Sequence, residues 1–198
     1  MQLSAYENFV QKASGVQTTD YSVTLPPYET GDPTVDNRAA VPDARLLGLL
    51  NVRYIVSAYP LTADGLFLRW TSQNQFVYAN QYDLPRAWVQ VRDKPFVSDA
   101  TRVSALLVTP NRITLNAQGP GLLVLSEIAY PGWQVTVDGE PARIETVAGV
   151  LRGVRLTAGP HSVSFRFHPL TVYIGAAISL AAVTAFLLAL LLSRRANG

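Results

Sequence analysis

The sequence predicts a mainly β protein: an antiparallel β-sandwich or jelly-roll-like domain, with short N-terminal helices before it and one transmembrane α-helix after it. Three observations carry this. The chain is rich in Val, Thr and Tyr and has 13 Gly and 13 Pro, the composition of short strands and frequent turns. Short apolar or alternating runs recur at close, regular spacing up to residue 168. From Leu170 to Leu192, 23 residues carry no charge. At helical rise that is roughly 35 Å, enough to cross a hydrocarbon core of about 30 Å.

Taken in order, residues 4–14 allow a short amphipathic helix, with Tyr6, Phe9 and Val10 on one side and Ser4 as its cap. From Gly15 to Pro42 the chain is polar and broken by Pro26, Pro27, Gly31 and Pro33, which predicts an irregular segment following the surface. Asp43 is placed to cap a helix over ARLLGLL, which runs into a strand over NVRYIVS, closed by Pro60. GLFLRW and QFVYAN form a hairpin, followed by RAWVQV. VSALLVTPNRITLNAQ reads as two strands around a Pro-Asn turn, and GLLVLSEIAY as a continuously apolar central strand. WQVTV, ARIETV, LRGVRL and HSVSFRF complete nine or ten short strands. In the last, Val163, Phe165 and Phe167 alternate with Ser162, Ser164 and Arg166, so one face is buried and the other wet. The expected units are an N-terminal helical and irregular segment (1–50) packed on the β-domain, the β-domain (51–168), the membrane helix (169–193) and a short tail (194–198).

The stretch SEIAYPGWQVTVDGEPARIE, residues 126–145, holds the most local information. Asp138-Gly139 between alternating strands predicts a type I′ hairpin, whose two central residues need φ > 0. Val135 and Val137 share a face with Trp133, and Pro141 places the return strand near a sheet edge. Pro131-Gly132 breaks the preceding strand and re-aims the chain. Trp133 is then a core or corner residue rather than a sugar-stacking platform, and Tyr130 sits beside the break, on an edge that can face a ligand. Glu127 is the one acid in an apolar run; a buried carboxylate with a raised pKa is one reading, an outward-facing position at the strand end the favoured one. Glu127 and Arg152 are the polar candidates for a site.

Several chemistries are excluded. A formal charge of +2 with scattered arginines is no nucleic-acid signature. There are no cysteines, hence no disulfide framework and no thiolate chemistry. His161 and His168, seven apart on one expected strand, point to opposite faces, which argues against zinc and against a Ser-His-Asp site built on both. No nucleotide-binding glycine motif occurs, so no cofactor is implied. Asp32, Asp36 and Asn37 are too sparse for a calcium loop. Asp93, Asp99, Glu127 and Asp138 cannot be paired across a cleft for glycoside hydrolysis. No metal is expected.

The membrane helix carries anchors at both ends, Tyr173 on one side and Arg194-Arg195 on the other. The arginine doublet puts the C-terminus in the cytoplasm and the β-domain outside, although Arg152, Arg155 and Arg166 precede the helix. Gly175 and Ser179 form a small-xxx-small pair, continued by Ala181, Ala185 and Ala189, suited to packing against other helices. The opening MQLSAYENFVQKASG is no signal peptide, so either the chain is tail-anchored with its body in the cytoplasm or membrane helices precede residue 1, and the expectation is a truncated N-terminus.

LLGLLNVRYIVS, LPRAWVQV and the long run from TPNRITLNAQ to HSVSFRFHP, with the Pro-Gly-Trp, Val-Asp-Gly, Leu-Arg-Gly-Val and Ala-Gly-Pro-His blocks in this order, resemble the C-terminal part of the YfhO-like family of bacterial multi-pass membrane proteins. The likeness covers nearly the whole chain. It implies a cell-envelope glycosyltransferase using a lipid-linked sugar, whose catalytic acids stand in an extracytoplasmic loop near the N-terminus of the parent. That loop is not in this sequence, so no catalytic residue carries over. Only Tyr130, Pro131, Gly132, Trp133, Val137, Asp138 and Gly139 map to the family's β-domain motif. The implied partners are the lipid bilayer, upstream helices of the same parent that deliver the domain to the outside, and a glycan or lipid-linked sugar. The alternative is a self-contained, membrane-anchored glycan-binding or structural module.

Overall fold

The computed structural model describes residues 2–16, 30–32, 35–90 and 103–196, without the side chains of 2, 3, 190, 191 and 193–196. Among the described residues, three helices and ten strands follow in order: α1 (Gln2–Ser14), α2 (Ala44–Leu49), β1 (Tyr54–Ser57), β2 (Leu66–Ser72), β3 (Gln75–Asn80), β4 (Ala87–Gln90), β5 (Val103–Thr109), β6 (Arg112–Ile128), β7 (Trp133–Val137), β8 (Glu140–Ala142), β9 (Glu145–Val147), β10 (Leu151–Phe167) and α3 (Leu170–Ala196). Every strand pairing is antiparallel. The fold is mainly β, as the sequence predicts.

The larger sheet runs β4-β6-β10-β7-β8, with β5 also on β6 and β9 on β10. Its spine is the pair β6 and β10, each 17 residues long. The sequence reads each of these as two short strands, parted around Gly119-Pro120 and Gly159-Pro160. They are bends instead. The β6–β10 register shifts between Leu156 and Gly159. Pro120 falls opposite that bulge, where its missing N–H costs no ladder bond. The bend divides the sheet into a half with β4 and β9 and a half with β5, β7 and β8. Conversely, ARIETV is split into β8 and β9.

Alternation builds the core. Leu123 and Leu125 of β6, Val154 and Leu156 of β10, and Val89 of β4 pack against Ile113, Leu115, Val135, Val163 and Phe165 from the other half. Phe165 is fully buried, worth about 2–3 kcal/mol of hydrophobic stabilisation by transfer. Phe167, at the strand end, is half-buried. The opposite face of the β4 half presents Trp88, Val124 and Leu151 to Phe9 and Ala13 of α1 and Leu49 of α2. Packed on both faces, positions 122–125 of β6 are apolar without alternation, which is why this part reads as a continuous run.

Asp43 caps α2, its carboxylate accepting from the N–H groups of Arg45 and Leu46 at 2.9 and 3.0 Å. Ser4 does not cap α1, which already begins at Gln2. A second sheet, β1-β3-β2, stands apart. Tyr54 and Phe67 flank Ala79, and Val56 and Trp70 flank Val77, so these side chains share one face. Tyr54, Phe67 and Trp70 are each more than half exposed on it.

Candidate functional site

The inward rows of the large sheet end in charge. Leu123 and Leu125 are continued by Glu127, and Leu156 and Val154 by Arg152, so at one end of the core a carboxylate and a guanidinium take the places of apolar side chains. Arg86, just before β4, completes the cluster. Its Nε donates to Glu127 Oε1 at 3.0 Å, and its Nη2 donates to the same oxygen. Arg152 Nη2 approaches Glu127 Oε2 at 3.4 Å. The Glu127 side chain is 25% exposed, so it neither points into solvent as favoured from the sequence nor stands buried alone.

Arg152 is the unusual member, with 2% of its surface exposed. Its guanidinium carbon lies 3.9 Å from the centroid of the Trp133 ring, a cation–π contact. Its Nε and Nη1 are buried with no hydrogen-bond partner. Burial lowers its pKa to about 10, Glu127 opposes that shift and Arg86 adds to it; Arg152 therefore stays cationic at neutral pH. Beside the cluster is a cavity of about 330 Å³ lined by Arg86, Glu127, Trp133, Val108, Pro110 and others.

This end of the domain adjoins the apolar helix. Only His168 and Pro169 separate β10 from α3. Trp133 pairs with Phe167 in register, and their rings lie 5.4 Å apart. The Phe167 N–H donates to the Asn111 carbonyl at 2.9 Å and the His168 N–H to the Gly132 carbonyl at 2.7 Å. Gly132 has φ +98°, and a Cβ there would stand 2.9 Å from the Phe167 ring and 3.2 Å from Pro169. His168 stacks on Tyr173 in the first turn of α3, with centroids 4.5 Å apart.

Trp133, with Arg152 over its ring and Phe167 against it, is a corner residue. Tyr130 is 50% exposed beside it, and Pro131 and Gly132 form the turn between them. Asp138 and Gly139 belong to a different place, beyond the far end of β7, in a hairpin whose φ values of +54° and +90° fit the expected turn. There Asp138 Oδ2 lies 2.7 Å from His161 Nδ1, and Oδ1 accepts from the Ser162 N–H at 2.8 Å. The hydrogen bond to His161 and that from Ser162 hold the Asp138 pKa below its usual value. Hydrogen bonding to Asp138 raises that of His161, against a small opposing effect of burial. The two histidines are not on one strand: His161 is in β10 and His168 lies past its end.

The remaining candidates scatter. Asp36 accepts from the N–H groups of Thr30 and Gly31 at 3.0 Å, closing a loop. Asp93 and Asp99 lie outside the described residues, as do the side chains of Arg194 and Arg195, whose backbone ends α3. No group of three or more potential metal ligands exists among the described residues. Gly175 has open space where a Cβ would stand, and no residue of the apolar stretch Leu170–Ala189 is buried in the chain. Arg86 is the residue sequence reasoning missed; its signal was an arginine at the start of a buried strand in LPRAWVQV.

Residues 69–179 match the family described as bacterial membrane protein YfhO. No curated protein and no solved structure matches the chain.

Proposed function

From the premise that the chain belongs to the YfhO family of bacterial membrane proteins, we propose that it forms the extracytoplasmic β-domain and last membrane helix of an envelope glycosyltransferase. That parent transfers sugar from a lipid-linked donor to a cell-envelope polymer, and its catalytic acids reside in a part absent from this sequence. The observation that carries this reading is the junction. A family β-domain is joined by two residues to a helix long and apolar enough to cross a bilayer. The role of the domain is to stand over the membrane face, contacting the acceptor or the donor's carrier and bracing the helices. Supporting a non-catalytic role, Glu127 is held by two arginines and Asp138 by His161, and they sit at different ends of β7. An antibody to the β-domain, used on membranes of the source organism, tests the reading. A band several times larger than 21.6 kDa is expected; a band at that mass contradicts it.

One observation favours a second reading, a membrane-anchored glycan-binding module. Tyr54, Phe67 and Trp70 share an exposed face of the small sheet, where flat rings can stack on sugar faces. Saturable binding of envelope glycans by the full chain in detergent, abolished by Trp70→Ala, supports it; no binding above background excludes it.

A further inference from the structure

We propose that the cavity beside Arg86, Glu127 and Trp133 holds the phosphate of a membrane-lipid headgroup. This rests on α3 crossing the bilayer and not on sugar transfer, so a native band at 21.6 kDa leaves it standing.

Position comes first. The uncharged stretch starts at Leu170, and the chain just outside it is bonded to both turns that border the cavity, through Asn111 and through Gly132. The cavity is therefore at the membrane-proximal end of the domain. Tyr130, beside the same turn, and Tyr173, in the first turn of α3, are half exposed and sit at the level where aromatic side chains anchor at the headgroup region.

Charge comes second. Two guanidinium groups face one carboxylate, leaving one positive charge unmatched. Buried Nε and Nη1 atoms of Arg152 lack acceptors. Arg152 does not itself line the cavity but stands behind its Glu127 and Trp133 walls and adds positive charge there, while Arg86, which does line it, offers a phosphate the paired donors that guanidinium groups present. Shape comes third. Val108, Pro110, Ile113 and Trp133, with Thr109 among them, make the rest of the wall largely apolar, suited to the glycerol and first methylenes of a lipid, while Leu107 stays exposed on the neighbouring strand.

The test uses the full chain in detergent micelles, with native mass spectrometry reading retained lipid. Phosphatidylglycerol is compared with diacylglycerol of the same acyl chains and with soluble glycerol 3-phosphate. The expected result is saturable retention of phosphatidylglycerol, little of diacylglycerol, and glycerol 3-phosphate competing only in large excess. Arg86→Gln weakens retention about tenfold, the scale of one charge-assisted contact. Glu127→Gln strengthens it, because it removes the competing carboxylate, an effect that a purely structural role for Glu127 would not produce. Equal retention of diacylglycerol overturns the proposal, as does an unaltered affinity in Arg86→Gln. Displacement by glycerol 3-phosphate at equal concentration overturns the lipid source in favour of a soluble phosphate ester. Should Glu127→Gln fail to fold, Arg86→Gln decides alone: that side chain is 47% exposed, and Glu127 keeps Arg152 as partner.

Discussion

Replacing Arg152 by methionine should leave the domain as stable as before or make it more stable, which is unusual for a residue only 2% exposed. The substitution removes two buried donors without acceptors, each costing about 1–3 kcal/mol. It also loses the stacking on Trp133, about 1–2 kcal/mol, and the 3.4 Å contact to a partly exposed Glu127, about 1 kcal/mol or less. Glu127 keeps Arg86. The balance runs from about 1 kcal/mol of loss to about 5 kcal/mol of gain and centres on about 2 kcal/mol of stabilisation, in line with apolar replacement of other buried ion pairs. Glu127→Ala does the reverse, stranding a buried cation at a loss of about 2–3 kcal/mol after allowing for the partial exposure of Glu127. Thermal unfolding followed by tryptophan fluorescence, in detergent free of phospholipid, reads both at roughly 3 °C per kcal/mol. A loss above about 2 kcal/mol in Arg152→Met refutes the reasoning: Arg152 would then be a stabilising element despite its unpartnered donors.

Two other outcomes follow from the ends of β7. Gly132→Ala forces a side chain into a φ of +98° and against Phe167 and Pro169, so it should cost about 2–4 kcal/mol and loosen the junction to α3, read as lower hydrogen-exchange protection at the Phe167 and His168 amides. In NMR titration of the full chain in micelles, His161 should titrate above 6.5, and Asp138→Asn should bring it back down. Its stabilising contribution is then complete below 6.5 and lost as pH rises through the raised folded value. Asp138 contributes above 3.8 and loses its share as pH falls through its lowered folded value. A native Tm difference between wild type and Asp138→Asn that does not shrink as pH rises above that window contradicts the pairing.

Much of this was legible in residue order. Short apolar or alternating runs between turn signals marked β1 to β5 and β7, Asp138-Gly139 marked its hairpin, and Asp43 marked the start of α2. The long strands were not legible, because Gly-Pro pairs signal a break locally and only the bulge on the facing strand makes them bends. Glu127 was misplaced for a related reason. In LLVLSE both alternating rows are apolar, one facing the core and the other the helices, so the run carries no alternation from which to tell which way Glu127 points. Arg152 and Arg86 reach Glu127 through pairings 25 and 41 residues distant, which no local pattern encodes.

The arrangement of the whole depends on α3 crossing the bilayer with the β-domain outside, and the absence of cysteine from the chain makes that directly measurable. Single cysteines at Gly139, in the exposed β7–β8 turn, and at the C-terminal Gly198 can be probed in intact bacterial cells with a membrane-impermeant maleimide. The expected result is labelling at 139 in intact cells and at 198 only after lysis. Labelling of 198 but not 139 in intact cells, or of neither until lysis, contradicts the proposed orientation and the outward-facing role built on it.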